Sequence, residues 1–476
     1  MPNRWSCVCA AGLAAAMSST AAAQVAAGEG EGHWIFNCHP VDDTGLLGGG
    51  PIWSPDRVDL EQALRGGIPA TWATVQDNGD PLNRIDLVFV GDGYTSAEMG
   101  TYGAHVSAAM EELFAIEPFL SYRPLFNVHR VNVISNESGV TNDPNVGVQR
   151  DTALDMRYWC NNTERLLCVN VSLAYSYAVN APDVEQVLAV ANSSKYGGAG
   201  YPSNNLGTLA GANALAADIA IHEFGHSLGD LADEYDYGGS PNWSGGEPAA
   251  ANVSIYQSGQ MSTLNAKWAA WLGENFPAYD GVVSTFEGAN YSVTGIYRPS
   301  NNSMMRSLGR PFNLPSIEEL IIKMWQEVDP IDGSTPESEE LTGAETVFVE
   351  TVMPGLDIQW FLDGEPIIGA DGETLELLSL DIPAGEYTLS VEVIDNTTFI
   401  RDEQARNQWM RSTRSWTLLF AIDPADLNID GGVGPFDLGI LLGSWGPSDS
   451  RADINGDGVV NSADLGILLG SWTVTE

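Results

Sequence analysis

Two of the chain's six histidines stand four residues apart with a glutamate beside the first, in His222-Glu223-Phe224-Gly225-His226. On an α-helix that spacing puts both imidazoles on one face, about one turn apart, where a single metal ion can take both. Glu223 then lies beside them, placed to hold a water between itself and the ion. The motif constrains the fold as well as the chemistry, because Ala214, Leu215, Ile219 and Ile221 make the same helix apolar enough to enter a core. Zinc suits two imidazoles plus a carboxylate or a third histidine, with a fourth position left to water. Such an ion acidifies its water and polarises a peptide carbonyl, and Glu223 is expected as the general base. The plainer alternative is a helix with two hydrogen-bonded core histidines. Composition alone seldom produces this arrangement from so few histidines, which favours the metal site.

Gly229 follows the motif, where the chain could turn back to bring in a third ligand. Asp230 is one turn past His226, and on a continuing helix it lies too far along the axis from His222 to share the ion. Asp233 and Glu234 lie beyond Gly229, and one of them is the expected third ligand. Either could instead be an acceptor that orients an imidazole N–H. Met304 and Met305, in Ser303-Met304-Met305-Arg306, are expected to form a soft apolar floor under the imidazoles. Tyr235, Tyr297 and Arg298 are candidate donors to a developing oxyanion, although single residues of these types more often pack or solvate.

At 476 residues the chain is too long for one ordinary core, so several domains are expected. An apolar content of 44% with 14 Trp argues for folded modules over disorder. The formal charge of -43 would repel a phosphate backbone, which excludes nucleic acid as a partner and disfavours anionic membranes. Its plain reading is solubility in an extracellular setting, with part of the acid serving calcium. Arg4, the short apolar run 9–17 and Ala21-Ala22-Ala23 read as a signal peptide over residues 1–23, which predicts a secreted protein, extracellular, cell-surface associated or periplasmic. That run is too short to span a bilayer, and no other stretch is long enough, so no membrane insertion is expected. Of the later cysteines, Cys160 and Cys168 are near enough in sequence to close a small loop, which would leave Cys38 over. Spacing alone does not fix the connectivity.

Residues 24–80 are rich in Gly, Pro and Asp and read as an irregular lead-in with one short helix near Leu60 to Leu64. From 81 to 335 strands alternate with helices, the signature of an α/β domain with a central twisted sheet and the motif helix. Ile85 to Val90 is a buried-type strand closed by Gly91-Asp92-Gly93, and Thr95 with Glu98 forms a capping box opening a helix toward Phe119. Strands are also expected around Val128 to Val133 and Val187 to Ala191, and the motif helix over 212–228. The stretch 330–340, rich in Pro, Ser, Asp and Glu, reads as a linker. Over 341–420 the pattern alternates, with Tyr387, Leu389, Val391 and Val393 sharing one face and Asp363-Gly364 marking a hairpin turn, as in an all-β, immunoglobulin-like sandwich.

At this point a family resemblance is visible. The run His222 to Tyr235, H-E-F-G-H-S-L-G-D-L-A-D-E-Y, resembles the metallopeptidases named for their immunoglobulin A-cleaving founder. Asp86-Leu87-Val88-Phe89-Val90-Gly91-Asp92-Gly93-Tyr94, Ser138-Gly139-Val140, Tyr196-Gly197-Gly198-Ala199-Gly200 and Tyr297-Arg298-Pro299 are similar to segments of the same family. The resemblance covers about residues 80 to 330 and implies a metzincin-like zincin fold, α+β in character, with the cleft between two subdomains. True metzincins place a third histidine where this chain has Ala232. In such folds an extended substrate pairs with an edge strand beside the helix, and Tyr196 to Gly200 is the candidate neighbourhood. A plain loop there is the alternative.

Residues 421–476 hold an internal repeat: Asp437-Leu438-Gly439-Ile440-Leu441-Leu442-Gly443-Ser444-Trp445 recurs as Asp464-Leu465-Gly466-Ile467-Leu468-Leu469-Gly470-Ser471-Trp472. Asp426, Asn428, Asp430 and Asp437 fit positions one, three, five and twelve of a calcium loop, as do Asp453, Asn455, Asp457 and Asp464. Asp replaces the usual Glu at position twelve. The segment resembles a small α-helical dockerin-type domain, which implies docking to a cohesin-like receptor; a calcium-stabilised cap without a partner is the alternative.

The leading expectation is therefore a secreted, zinc-dependent endopeptidase acting on proteins or peptides. A non-catalytic, calcium-dependent surface or adhesion protein is the second reading, against which an intact Glu223 speaks. A zinc hydrolase of cell-wall peptides is the third.

Overall fold

The run Ile85 to Val90 is apolar with hardly a break, and it forms part of the strand Ile85–Asp92, buried along its whole length. A strand covered on both faces has that composition. It is central in the computed structural model, which describes residues 32–473 apart from 42–44, 55–57, 59, 237–241, 339, 344, 381, 383–384, 421–422, 429–431 and 448–449. The expected signal peptide and Asp430 lie outside the described residues. The chain divides into two units, residues 1–328 with 397–406, and residues 329–396 with 407–476.

The first unit is built on one mixed sheet. In chain order its strands are β1 (His33–Pro40), β2 (Leu47–Ser54), β3 (Thr71–Gln76), β4 (Ile85–Asp92), β5 (Phe126–Asn132), β6 (Gln186–Ala191), β7 (Gly198–Tyr201) and β8 (Leu206–Ala210). They lie in the order β2-β1-β7-β8-β6-β4-β5-β3. The pairs β4–β5, β4–β6 and β6–β8 are parallel. The remaining pairs are antiparallel. Helices α2 (Met99–Leu113), α3 (Val171–Ala178) and α4 (Ala216–Ser227) pack with this sheet, α1 (Leu60–Arg65) packs on α3, and α4 carries the histidine motif. The Thr95–Glu98 capping box is present and opens onto α2, which ends at Leu113, short of Phe119.

The lead-in is less irregular than its composition suggests. It supplies β1, β2 and β3 to the main sheet, with the short helix α1 where it was expected. Glycine and proline hide β2 from pattern reading, since Leu47–Ser54 reads LGGGPIWS. The glycines serve close pairing: a Cβ on Gly49 would fall 1.8 Å from the Asn37 carbonyl oxygen of β1.

In the second unit, Ile331–Ser334 pairs with Thr346–Thr351, so the segment expected as a linker begins with a paired strand. One sheet has three strands and the other four, and Val347, Val349, Trp360, Leu389, Val391, Trp416 and Leu418 share one buried core. Asp363 and Gly364 both have positive φ, 51° and 83°, and join Leu362 to Glu365 as a two-residue hairpin. Near the C-terminus the helices Pro435–Gly443 and Ser462–Gly470 follow the two repeats and bury Leu441 and Leu468 together. No described helix is long and apolar enough to cross a membrane.

Candidate metal centre

Helix α4 places its motif by burial. Ile219, Ile221 and Phe224 are buried with His222, Glu223 and His226, so the polar groups are held in a dry wall of the sheet domain. His222 Nδ1 lies 3.1 Å from the Met304 carbonyl oxygen, and His226 Nδ1 lies 2.7 Å from that of Leu231. A carbonyl only accepts, so each Nδ1 carries a proton and donates it. In a neutral ring that leaves each Nε2 as a bare lone pair. The two Nε2 atoms are 3.2 Å apart. Asp233 Oδ1 is 3.2 Å from one and 3.3 Å from the other.

This is a cluster of acceptors facing acceptors, and it needs positive charge at its centre. Burial works against a charge on His226, yet neighbouring Asp233 outweighs it and pushes the imidazole pKa up to about 9. Burial would raise Asp233, but His226 and the bonds to both imidazoles hold it below the ordinary carboxylate range. The spacing also fits a metal. A tetrahedral ion with bonds of about 2.0 Å sets its ligands about 3.3 Å apart. The donor set, two imidazole nitrogens and a carboxylate oxygen, is one that zinc takes.

Of the two candidate third ligands, Asp233 is the one whose carboxylate lies against both imidazoles. Glu234 is also fully buried, but its carboxylate is turned to Ser303 at 2.7 Å, Asn313 at 2.9 Å and Asn252 at 3.0 Å. It is a brace between loops and makes no contact with the imidazoles. Asp230 points to Lys323 at 2.7 Å. The helix ends at Ser227 and the chain turns through Leu228 and Gly229, with the positive φ, 49°, falling on Asp230. Gly229 is needed for closeness instead, since a Cβ would fall 2.8 Å from Leu320 Cδ2.

Glu223 is 1% exposed, and beside the nearby Cys38 thiol its carboxylate oxygens have no hydrogen-bond partner of good geometry. Burial pushes its pKa up. A Cβ on Gly200 of β7 would fall 1.9 Å from Glu223 Oε2, so the carboxylate occupies the space that the glycine leaves. The methionine loop acts in two ways. Met304 holds His222 through its carbonyl, and the Met305 sulfur lies 2.6 Å from where a Cβ on Gly225 would be, directly against the motif helix. Of the candidate oxyanion donors only Tyr235 is at the cluster. Tyr297 receives a bond from Gln257 at 2.7 Å, and Arg298 is spent on the carbonyls of Glu287, Gly288 and Asn301.

Sequence reasoning missed two residues of the centre. Tyr291 donates its hydroxyl to Asp233 Oδ2, and its ring meets Tyr235 at 5.4 Å. Cys38 of β1 places its sulfur 3.1 Å from His222 Nε2 and 3.9 Å from Asp233 Oδ1, with the Tyr235 hydroxyl at 3.5 Å. Cys38, His222, His226 and Asp233 form the one group of metal-ligand type among the described residues. The signal for Cys38 was its being left over, and the structure does pair Cys160 with Cys168.

In the C-terminal repeats, Asp437 accepts the amides of Leu427, Asn428 and Gly434 at 2.7 to 2.9 Å. Asp426 is buried. Asp464 accepts the amides of Asn455 and Asn461 at 3.1 and 2.8 Å. Asp453 accepts from Asp457 and Gly458, Asn455 Oδ1 from the Asp457 amide, and Asp457 from Val459. Gly456 and Gly458 make the loop's sharp turn with φ of 73° and 87°.

No curated protein matches the chain. Residues 73–280, which hold His222, Glu223, His226 and Asp233 and leave Cys38 outside, match the family model of the IgA peptidase M64, and this match supports a peptidase of a metal-dependent kind.

Proposed function

We propose that the chain is a secreted, zinc-dependent endopeptidase in which Glu223 is the general base. The observation that carries the reading is the convergence of His222 Nε2, His226 Nε2 and Asp233 Oδ1 at 3.2 to 3.3 Å, beside the buried carboxylate of Glu223. Zinc in that site would supply Lewis acidity toward a peptide carbonyl and toward water. The chain's residues supply the rest. Met304 and Leu231 fix the imidazole rings, and Tyr291 fixes the carboxylate, so the ligands are oriented before any ion arrives. Glu223, starting as the carboxylate and made more basic by burial, takes a proton from water and delivers it to the leaving amine. Tyr235 is the group best placed to donate to the oxyanion. An extended peptide would pair with β7, the strand whose Gly200 lies under Glu223, in the place that β1 takes in this structure.

The duplicated loops at 426–437 and 453–464 are proposed as calcium sites of a dockerin-like domain, behind an immunoglobulin-like module, and a cohesin-like receptor is their proposed partner. The test of the peptidase reading is Glu223→Gln, which should keep zinc and lose peptide hydrolysis by three orders of magnitude or so, the scale of a lost general base. Turnover equal to the parent's would remove Glu223 from the mechanism.

A further inference from the structure

Cys38 stands where a fourth ligand belongs. Its sulfur is 2% exposed as a residue, touches His222 Nε2 at 3.1 Å, and lies within reach of Asp233. The strand that brings it, β1, pairs antiparallel with β7 through Phe36 and Gly200, beside Glu223. The Tyr196 hydroxyl donates to the Cys38 carbonyl oxygen at 3.2 Å, and the Phe36 ring meets His226 at 5.1 Å. The connection to β2 is tied to the loop after the methionines, with the Leu47 amide donating to Arg306 at 2.9 Å and the Leu308 amide to Gly45 at 3.0 Å. A strand from outside the matched stretch 73–280 thus lies along the edge that an extended peptide would use.

Resting on the metallopeptidase reading above, we propose that Cys38 is the fourth metal ligand of the resting chain and that strands β1 and β2 are its resident inhibitor. The donor set is then two imidazoles, one carboxylate and one thiolate, a closed site of the structural kind with no position for water. The hairpin competes twice, by sulfur for the metal and by backbone for β7. Departure of the thiolate, replaced by water, opens the site and clears the edge together. No electron transfer is involved; one ligand replaces another.

The full-length chain, loaded with zinc, tests this by X-ray absorption at the zinc edge and by cleavage of a fluorogenic peptide library, beside Cys38→Ala and the near-isosteric Cys38→Ser. The expected spectrum has one sulfur at about 2.3 Å in the parent and none in either variant. Peptide cleavage should rise about tenfold or more in both variants, because a ligand resident in most chains leaves only a small competent fraction. Zinc bound without sulfur in the parent overturns the ligand assignment and leaves the peptidase reading standing. Sulfur in the parent with no gain of activity in either variant overturns the inhibitory role. Failure of all three proteins to bind zinc overturns the metallopeptidase reading itself.

Discussion

Gly200→Ala separates the fold from the chemistry. The added methyl would sit 1.9 Å from Glu223 Oε2 and 3.0 Å from its Cδ, with Phe36 Cβ at an ordinary 3.7 Å. A comfortable contact needs about 3.5 Å, so the carboxylate must retreat by roughly 1.5 Å. The atom displaced is the end of a flexible side chain, and Gly200 does not require a left-handed backbone. Stability should therefore fall by no more than about 1–3 kcal/mol, the range for an added core methyl. The general base, however, leaves its place, and a misplacement of about 1 Å costs on the order of a hundredfold in rate. The comparison is made in the Cys38→Ala chain, so that the thiol does not compete, with Glu223→Gln in the same background as the floor. We expect kcat/KM to drop about a hundredfold, which is about 2.7 kcal/mol of transition-state stabilisation, with zinc content unchanged. Activity within a factor of two of the parent, with the substitution folded and zinc-loaded, would refute the placement of Glu223 over β7.

Other expectations follow from the same geometry. Tyr291→Phe removes the donor to Asp233 Oδ2 and should weaken zinc binding about 10- to 100-fold in a chelator competition. Unchanged affinity would show that Asp233 needs no brace. Glu185 is held by the Asp86 amide at 2.8 Å, and burial pushes its pKa up to about 8. Its protonated form therefore favours the folded state, and its contribution to stability is full below the ordinary carboxylate range and is lost as pH rises toward 8. Glu185→Gln should flatten the pH dependence of chemical denaturation across that window; an identical slope would contradict the shift. Calcium added to the chelator-treated full chain should bind in the C-terminal repeats, and Asp453→Ala should remove one site by calorimetric titration. Equal stoichiometry in the two proteins would end that reading.

The motif helix, the parallel strands and the hairpin turn at Asp363-Gly364 were legible because each depends on local chemistry: a helical period, a continuous apolar run, and two residues that tolerate positive φ. Asp233 and Glu234 could not be told apart, since both follow the same turn. Their difference is set by Asn252, Ser303 and Asn313, which come from distant parts of the chain and claim only Glu234. Strands β1 and β2 were hidden for a related reason. In β2 the pairing rests on glycines that permit close approach, and β1, HWIFNCHP, finds its partner only through that strand and β7. Tyr297 and Arg298 sit in a segment that resembles the family, yet their side chains are satisfied elsewhere. Cys38 lies 184 residues from His222, and no local pattern could have joined them.

Metal content after exhaustive dialysis tests the centre most directly, compared among the Cys38→Ala chain as parent and, in that background so that the thiol cannot take over, Asp233→Ala and Glu234→Gln. The geometry predicts about one zinc per chain in the parent and in Glu234→Gln, and a loss of most of it in Asp233→Ala. Full zinc retention in Asp233→Ala, or its loss only when Glu234 is changed, would contradict the ligand set on which the function rests.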